Sequence, residues 1–343
     1  MIKTVGIVSL SSGMLGEDFV KHEYDLGMKR LEEFGVNVKI MKHALRGIAY
    51  LDQHPEKRAE DLIEAFKDEE VDIILCAIGG NDTYRLLPYV FEEDALKNVV
   101  SQKVFLGFSD TTINHFMLHK LGIYTFYGQS FIADVCELDQ DMLPYSKQYF
   151  KELLETGKIQ AVYPSDVWYE ERSDFSEKAL NTKRVCHNNQ PFELLQGAST
   201  FEGKILGGCL ESIYDLLVTN RHVDSVSLQK KYGLFPSKQE WQGKILLLET
   251  SEEKPSVEHF KTMLEALKQT GIFDVISGVL VGKPMDELHY EEYKEVLKEV
   301  IHNPKLPILY NINIGHATPR CIIPFGVHAK VDALKQVITF HYE

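Results

Sequence analysis

The segment KVFLGFSDTTINHFMLHKLG, residues 103–122, decides the fold. Its first seven residues are mostly apolar and end at Ser109, and a stretch with apolar residues at helical spacing begins directly afterwards at Asp110. Apolar positions every three or four residues indicate a helix that buries one face. The segment therefore predicts a buried strand that turns sharply into a helix, with Ser109 at the turn.

The same pattern of a strand followed by a helix recurs along the first half of the chain. Four further strands are predicted, namely TVGIVSL (4–10), VNVKIM (36–41), DIILCAIGG (72–80) and YTFYG (124–128). Strands that are apolar on both faces and alternate with amphipathic helices indicate a mainly parallel sheet covered on both sides. We therefore predict an α/β fold with an N-terminal parallel sheet and flanking helices.

The regular pattern stops between about Tyr163 and Leu195, where the chain is polar, charged and interrupted by proline. A stretch of this length inside a compact protein is typical of a linker, a lid or a binding loop. Strand and helix patterns then resume and predict a second α/β or α+β domain. The predicted organisation is an N-terminal domain (1–164), a linker and lid loop (165–195) and a C-terminal domain (196–343).

Charge and composition exclude several classes of protein. The 343 residues include 51 acidic and 37 basic side chains, a formal net charge of −14, which would repel nucleic acid and anionic membrane surfaces. No segment reaches the roughly 20 uninterrupted apolar residues of a membrane helix. Five scattered cysteines without a C-x-x-C pair predict reduced thiols. We predict a cytoplasmic protein with no nucleic-acid or membrane partner, because no secretory signal precedes the first strand.

Two glycine- or serine-containing turns have both a catalytic and a structural interpretation. Ser109 on a sharp turn would project its hydroxyl clear of the sheet, as a nucleophile does, or it would cap the helix with Asp110. Gly79-Gly80 followed by Asn81 lies at a strand end, where open α/β sheets bind ligands. Its backbone N–H groups would hold an oxyanion, or the residues would only form a tight turn.

Glu249 and His316 each end an apolar strand of the second half. Glu249 closes KILLLE, where a carboxylate is costly unless it has a partner or is exposed. His316, in NINIGHATP, is either structural or held in place for chemistry by a stiff loop. Together with Ser109 they give a Ser, a carboxylate and a His at three strand ends, which is the set that an acyl-transfer triad requires.

Sequence motifs for metals and nucleotide cofactors are missing. The chain has no H-E-x-x-H, no G-x-x-x-x-G-K-[ST] and no G-x-G-x-x-G motif. His115 and His119 are four residues apart on a predicted helix, but the sequence offers them no third ligand. We predict neither a metal nor an organic cofactor.

Taken together, the motifs resemble the LD-carboxypeptidase family of serine peptidases, which includes the microcin C immunity hydrolases. The resemblance extends over almost the whole chain, through AIGGNDTYRLLPY (77–89), FLGFSDTT (105–112), TFYGQ (125–129), GKILGGCL (203–210), KILLLETSE (244–252), SGVLVGK (277–283) and NIGHATPRCIIPFG (313–326). It implies a nucleophile at Ser109, an orienting carboxylate at Glu249 and a base at His316. It also implies oxyanion donors at the backbone N–H groups of Asp110 and Gly80.

The loop VWYEERSDF (167–175) and the motif after Ile78 are more similar to the microcin immunity branch than to the cell-wall recycling branch. This similarity implies that Trp168 or Phe175 covers the nucleotide part of a substrate. The family commonly has Asn where this chain has Cys209, so an amide that could touch the substrate is lost. The predicted substrate-binding residues are Gly79, Asn81, Trp168, Phe175 and Cys209.

We therefore predict a serine carboxypeptidase or amide hydrolase that acts through an acyl-enzyme on peptidyl or aminoacyl nucleotide conjugates. One alternative is an LD-carboxypeptidase that removes a terminal D-amino acid from muropeptides. The other is an inactive α/β binding protein. The predicted partners are a small peptide, peptidyl-nucleotide or muropeptide substrate and, by the resemblance, a second copy in a homodimer.

Overall fold

The computed structural model describes residues 2–342, and the chain divides into two compact units. The first unit consists of Met1–Ile159 and Arg172–Arg184, and the second of Gln160–Glu171 and Val185–Glu343. The segment 165–195, predicted as linker and lid, is thus shared between the two units.

The sheet of the first unit is built from parallel strands. Its strands are β1 (Thr4–Val8), β2 (Asn37–Ile40), β3 (Ile73–Cys76), β4 (Val104–Gly107) and β5 (Thr125–Tyr127). They pair in the order β5-β4-β3-β1-β2. All four residues of β3 are buried, as expected for a central parallel strand with helices on both faces.

Helices alternate with these strands, as the sequence pattern predicts. They are α1 (Lys21–Glu33), α2 (Ile48–Gln53), α3 (Pro55–Lys67), α4 (Leu87–Phe91), α5 (Thr112–Lys120) and α6 (Pro144–Thr156). Helix α6 has Pro144 in its first turn and is followed by Gly157 in the left-handed conformation, a sequence-encoded start and stop.

The second unit contains a larger mixed sheet. The strands of this unit are β6 (Ala161–Val162), β7 (Val167–Tyr169), β8 (Cys186–Asn188), β9 (Glu193–Gln196), β10 (Thr200–Cys209), β11 (Ile245–Glu249), β12 (Gly278–Gly282), β13 (Ile308–Ile312), β14 (Ile323–Phe325), β15 (His328–Asp332) and β16 (Val337–His341). The eight-stranded sheet has the order β6-β16-β15-β10-β11-β12-β13-β9, and β10 through β13 run parallel.

The long strand β10 joins the two halves of this sheet. Its first residues pair antiparallel with β15, and its last five pair parallel with β11, which places Cys209 beside Glu249. The helices of the unit are α7 (Leu210–Leu217), α8 (Ser225–Tyr232), α9 (Lys238–Trp241), α10 (Val257–Gln269) and α11 (Tyr290–Ile301). The predicted α/β class is confirmed for both halves of the chain.

Part of the segment predicted to lack regular structure forms a small sheet. Strands β7 and β8 pair antiparallel, with Trp168 opposite His187. Alternation of single residues over only three positions gives too weak a pattern to recognise in the sequence. Among the described residues, no helix combines the length and the apolar character needed to cross a membrane.

A buried ion pair holds the loops at the carboxyl ends of the first unit's strands. The Arg58 side chain on α3 is fully buried and donates to both carboxylate oxygens of Asp82, at 2.7 and 3.0 Å. It also donates to the backbone oxygen of Ser11 at 3.1 Å. The loops that follow β1 and β3 are therefore fixed to one guanidinium.

We expect Arg58→Met to lower the free energy of unfolding by about 3–5 kcal/mol, because it leaves the Asp82 carboxylate without its buried partner. Arg85→Met is the matched control, since Arg85 also contacts Asp82 but its side chain is 31% exposed. Its loss should cost about 1 kcal/mol or less. Urea unfolding of both variants measures the difference, and equal losses would contradict this account of Arg58.

Candidate active site

Ser109 lies on the turn from β4 into α5, as the sequence predicts. Its backbone φ is +64°, in the left-handed region that a non-glycine residue adopts at a cost of about 1–3 kcal/mol. The Ser109 N–H donates to the Tyr127 hydroxyl at 3.1 Å, and its carbonyl accepts from Thr112 Oγ1 at 2.7 Å. Both backbone groups are thus held while the chain turns, which is the geometry of a nucleophile on a sharp elbow.

Gly79 lies directly against this serine. A Cβ at Gly79 would stand 2.7 Å from Ser109 Oγ and 3.2 Å from the Asp110 backbone nitrogen. Only glycine leaves room for the hydroxyl and for anything bound to it. The neighbouring residues Gly80 and Asn81 are exposed, so this part of the turn is accessible.

The Asp110 side chain has a role that sequence reasoning missed. Its buried carboxylate accepts from Ser11 Oγ at 2.6 Å and from the Thr83 N–H at 2.9 Å. Burial raises the pKa of Asp110, and these two hydrogen bonds oppose the rise. Asp110 therefore ties together the loops after β1, β3 and β4. A short polar residue at each of three strand ends was the available signal in the sequence.

The structure gives His115 a structural role. Its Nδ1 lies 2.7 Å from Thr125 Oγ1 and its Nε2 lies 3.1 Å from the Gly107 carbonyl oxygen. Burial lowers the pKa of His115 to about 3, so the ring is neutral. With both nitrogens engaged, it supports β4 below Ser109.

Glu249 and His316 form a buried pair in the second unit. Glu249 Oε2 lies 2.8 Å from His316 Nδ1 and also accepts the His316 backbone N–H at 3.2 Å. Gly315 makes this approach feasible, because a Cβ there would lie 2.3 Å from the same oxygen. The carboxylate fixes both the position and the tautomer of the ring, which is the task of the acid in a catalytic triad.

Glu252 is a third member of this group, and sequence reasoning did not single it out. Its Oε2 lies 3.0 Å from His316 Nε2, while its side chain is 65% exposed. Burial disfavours a charged His316, but Glu249 and Glu252 outweigh it and raise the pKa of His316 to about 10. The hydrogen bond with His316 lowers the pKa of Glu252 to about 2. The imidazole is therefore protonated at neutral pH in this arrangement.

Cys209 lies beside the pair. One ligand-capable atom from each of Cys209, Glu249 and His316 lies within 4.8 Å of the other two. Burial raises the pKa of the Cys209 thiol well above its usual range, and the carboxylates of Glu211 and Glu249 add to the rise. A metal would need the thiolate and would have to break the hydrogen bond at Nδ1. The thiol thus lies close to Glu249 and His316, and the absence of a metal remains a prediction.

Trp168 and Phe175, the two aromatic residues predicted to cover a substrate, have different surroundings. Trp168 in β7 is 8% exposed and stacks on His187 with ring centroids 4.4 Å apart. Lys283 Nζ lies 5.2 Å from the Trp168 ring centroid. Phe175 belongs to the first unit, is 47% exposed and is fixed at its carbonyl by His22 Nε2 at 2.9 Å. Phe175 offers a free ring face, whereas Trp168 is already packed.

Comparison with known proteins identifies the family of this chain. The chain matches the LD-carboxypeptidase N-terminal domain over residues 5–128 and the LD-carboxypeptidase C-terminal domain over residues 202–331. The crystal structure of an MccF-like protein from Streptococcus pneumoniae in complex with AMP superposes with a TM-score of 0.99 and is 64% identical. That match covers 100% of this chain and 99% of the other.

Two more distant relatives carry functional names. A probable murein peptide carboxypeptidase of Bacillus subtilis (strain 168) is 27% identical over 318 residues, 91% of this chain and 85% of that protein. The microcin C7 self-immunity protein MccF of Escherichia coli is 25% identical over 325 residues, 91% of this chain and 86% of that protein. Since the family models span more than half of its length, the chain belongs to the LD-carboxypeptidase family and is a serine peptidase.

Proposed function

We propose that Ser109, His316 and Glu249 form a catalytic triad that cleaves peptidyl or aminoacyl nucleotide conjugates through an acyl-enzyme. The observation that carries the proposal is the buried pair of Glu249 and His316, with 2.8 Å between Oε2 and Nδ1. The strained turn at Ser109 supports the role of nucleophile. The inactive binding protein is disfavoured, because the chain belongs to a family of carboxypeptidases.

In the proposed reaction, His316 Nε2 takes the Ser109 hydroxyl proton as Oγ forms a bond with the substrate carbonyl carbon. Glu249 keeps the other ring nitrogen protonated and stabilises the imidazolium. The proton then passes from Nε2 to the leaving group as its bond to the carbonyl carbon breaks. Water repeats the cycle on the ester, with His316 again as the base.

We assign the oxyanion site to the backbone N–H groups of Asp110 and Gly80. Support comes from the position of Gly79, whose missing side chain leaves space next to both Ser109 Oγ and the Asp110 nitrogen. Preorganised backbone donors of this kind stabilise the charge that develops in the transition state. The Asp110 carboxylate acts indirectly, because it holds the loops in place through Ser11 and Thr83.

Two relatives support the proposal that the substrate has a nucleotide part. The Streptococcus pneumoniae protein, 64% identical, was crystallised with AMP, and a second relative is a microcin C7 self-immunity protein. The murein peptide carboxypeptidase among the relatives supports the alternative, removal of a terminal D-amino acid from a muropeptide. A cytoplasmic location and a homodimer stay predictions, which cell fractionation and analytical ultracentrifugation test.

We expect Ser109→Ala to lower kcat by about 10³ to 10⁶-fold without loss of thermal stability, because the covalent path is removed while the fold is kept. Ser227→Ala, an exposed serine on α8, is the control and should retain full activity. Hydrolysis of an aminoacyl sulfamoyl adenosine and of an L,D-tetrapeptide measures both the nucleophile and the substrate class. Ordinary turnover by folded Ser109→Ala protein would rule out the assignment.

We expect Phe175→Ala to lower kcat/KM for the adenosine conjugate by a factor that corresponds to about 1–3 kcal/mol, the free energy of one lost base stack. The kcat/KM for the tetrapeptide should stay unchanged. Tyr89→Ala is the matched control, since Tyr89 is a similarly exposed ring of the first unit, 43% against 47% for Phe175. Trp168→Ala should lower thermal stability as well as activity, because the Trp168 ring is packed. Equal effects of Phe175→Ala on both substrates would show that its ring does not stack on a base.

A further inference from the structure

The nitrogen that must accept the serine proton is already occupied in this structure. His316 Nδ1 is bound to Glu249, and Nε2 lies 3.0 Å from Glu252 Oε2. A general base needs a free lone pair at the atom that receives the proton. His316 between two carboxylates holds its proton and has no such lone pair, so the resting arrangement is inactive as a base.

The position of Glu252 allows its side chain to move away from His316. It lies in a turn after β11 whose first residue, Ser251, is fixed by the buried Glu211 carboxylate at 2.9 Å through its N–H and 2.7 Å through its hydroxyl. The turn closes with the Lys254 N–H on the Ser251 carbonyl at 3.1 Å. The Glu252 side chain itself is 65% exposed, so its carboxylate can turn into water and be hydrated there.

Other charged groups near His316 have partners of their own. Glu253, next to Glu252, pairs with Arg221 at 2.8 Å instead. Arg320 donates to the His316 backbone oxygen at 3.2 Å, away from the ring. Further titratable groups nearby include Glu249 on β11, the Cys209 thiol on β10 and, behind Ser251, Glu211 on α7, whose pKa burial raises.

We propose that Glu252 is a removable cap on the general base, which covers His316 Nε2 in the free enzyme and turns out into solvent when substrate binds. This inference rests on the proposed triad. On uncapping, the Nε2 proton passes to bulk water and Glu252 remains a carboxylate. Glu252 is thus a gating residue for the reaction, because it acts through His316 and forms no bond with reacting atoms.

If Glu252 covers Nε2 only in the free enzyme, the pH profiles of kcat/KM and of kcat should differ. The acid limb of kcat/KM reports the free enzyme and that of kcat reports the substrate complex. With the cap in place the pKa of His316 is raised to about 10, so kcat/KM should fall as the pH drops from alkaline values. Substrate removes one carboxylate from the ring, so the limb of kcat should lie at lower pH than the limb of kcat/KM.

The test compares Glu252→Gln with the neighbouring control Glu253→Gln. We expect Glu252→Gln to move the limb of kcat/KM down by at least about one pH unit, towards the limb of kcat. Activity at low substrate concentration and pH 6 then rises by about tenfold or more, since one pKa unit is a factor of ten. Glu253→Gln should match the parent enzyme. An unmoved limb in folded Glu252→Gln protein would overturn the proposal.

A second readout does not depend on turnover. The His316 imidazole resonance is assigned by its absence from the spectrum of His316→Gln. It is then followed by NMR between pH 5 and 11 in the parent chain and in Glu252→Gln. A lower pKa for His316 in Glu252→Gln supports the cap, and an unchanged pKa contradicts it. If Ser109→Ala or His316→Gln keeps full activity, the triad fails, while this titration still decides whether Glu252 covers Nε2.

Discussion

The left-handed backbone at Ser109 is the constraint on which the strand-to-helix turn of the first unit depends. A residue with a side chain remains at φ +64° only where its surroundings determine the turn. Here the Tyr127 hydroxyl and Thr112 Oγ1 hold the two backbone groups of Ser109, and His115 Nε2 lies at hydrogen-bond distance from the Gly107 carbonyl oxygen at the end of β4. The Asp110 carboxylate then connects this turn to the loops after β1 and β3 through its hydrogen bonds with Ser11 and Thr83.

Electrostatics, rather than backbone strain, organises the pair of Glu249 and His316 in the second unit. A buried carboxylate such as Glu249 is costly on its own, and the His316 imidazolium balances its charge. The same balance makes the histidine a poor base as long as Glu252 also pairs with it. A serine peptidase with this arrangement stays idle until the outer carboxylate moves. The thiol of Cys209 lies next to the pair without adding charge.

The sequence was sufficient for the alternation of strands and helices and for the positions of Ser109 and Glu249 at strand ends, because apolar runs and strand-to-helix turns depend on local patterns. His316, predicted to end a strand, lies in the loop four residues after β13. It was not sufficient for partners that come from distant segments. Tyr127 and Ser11 reach their positions only through strand pairing, and Glu252 becomes important only because a turn brings it to a histidine more than sixty residues later. The small β7–β8 sheet was missed because three-residue strands have no readable period.

The covalent intermediate is the most direct test of the central claim. An aminoacyl conjugate is mixed with the enzyme, quenched in acid during turnover and digested, and the peptides are analysed by mass spectrometry. The account predicts the mass of the acyl group on the peptide that contains Ser109, and loss of this adduct in Ser109→Ala. An acyl group on another residue, or complete turnover with no adduct at any quench time, would contradict it.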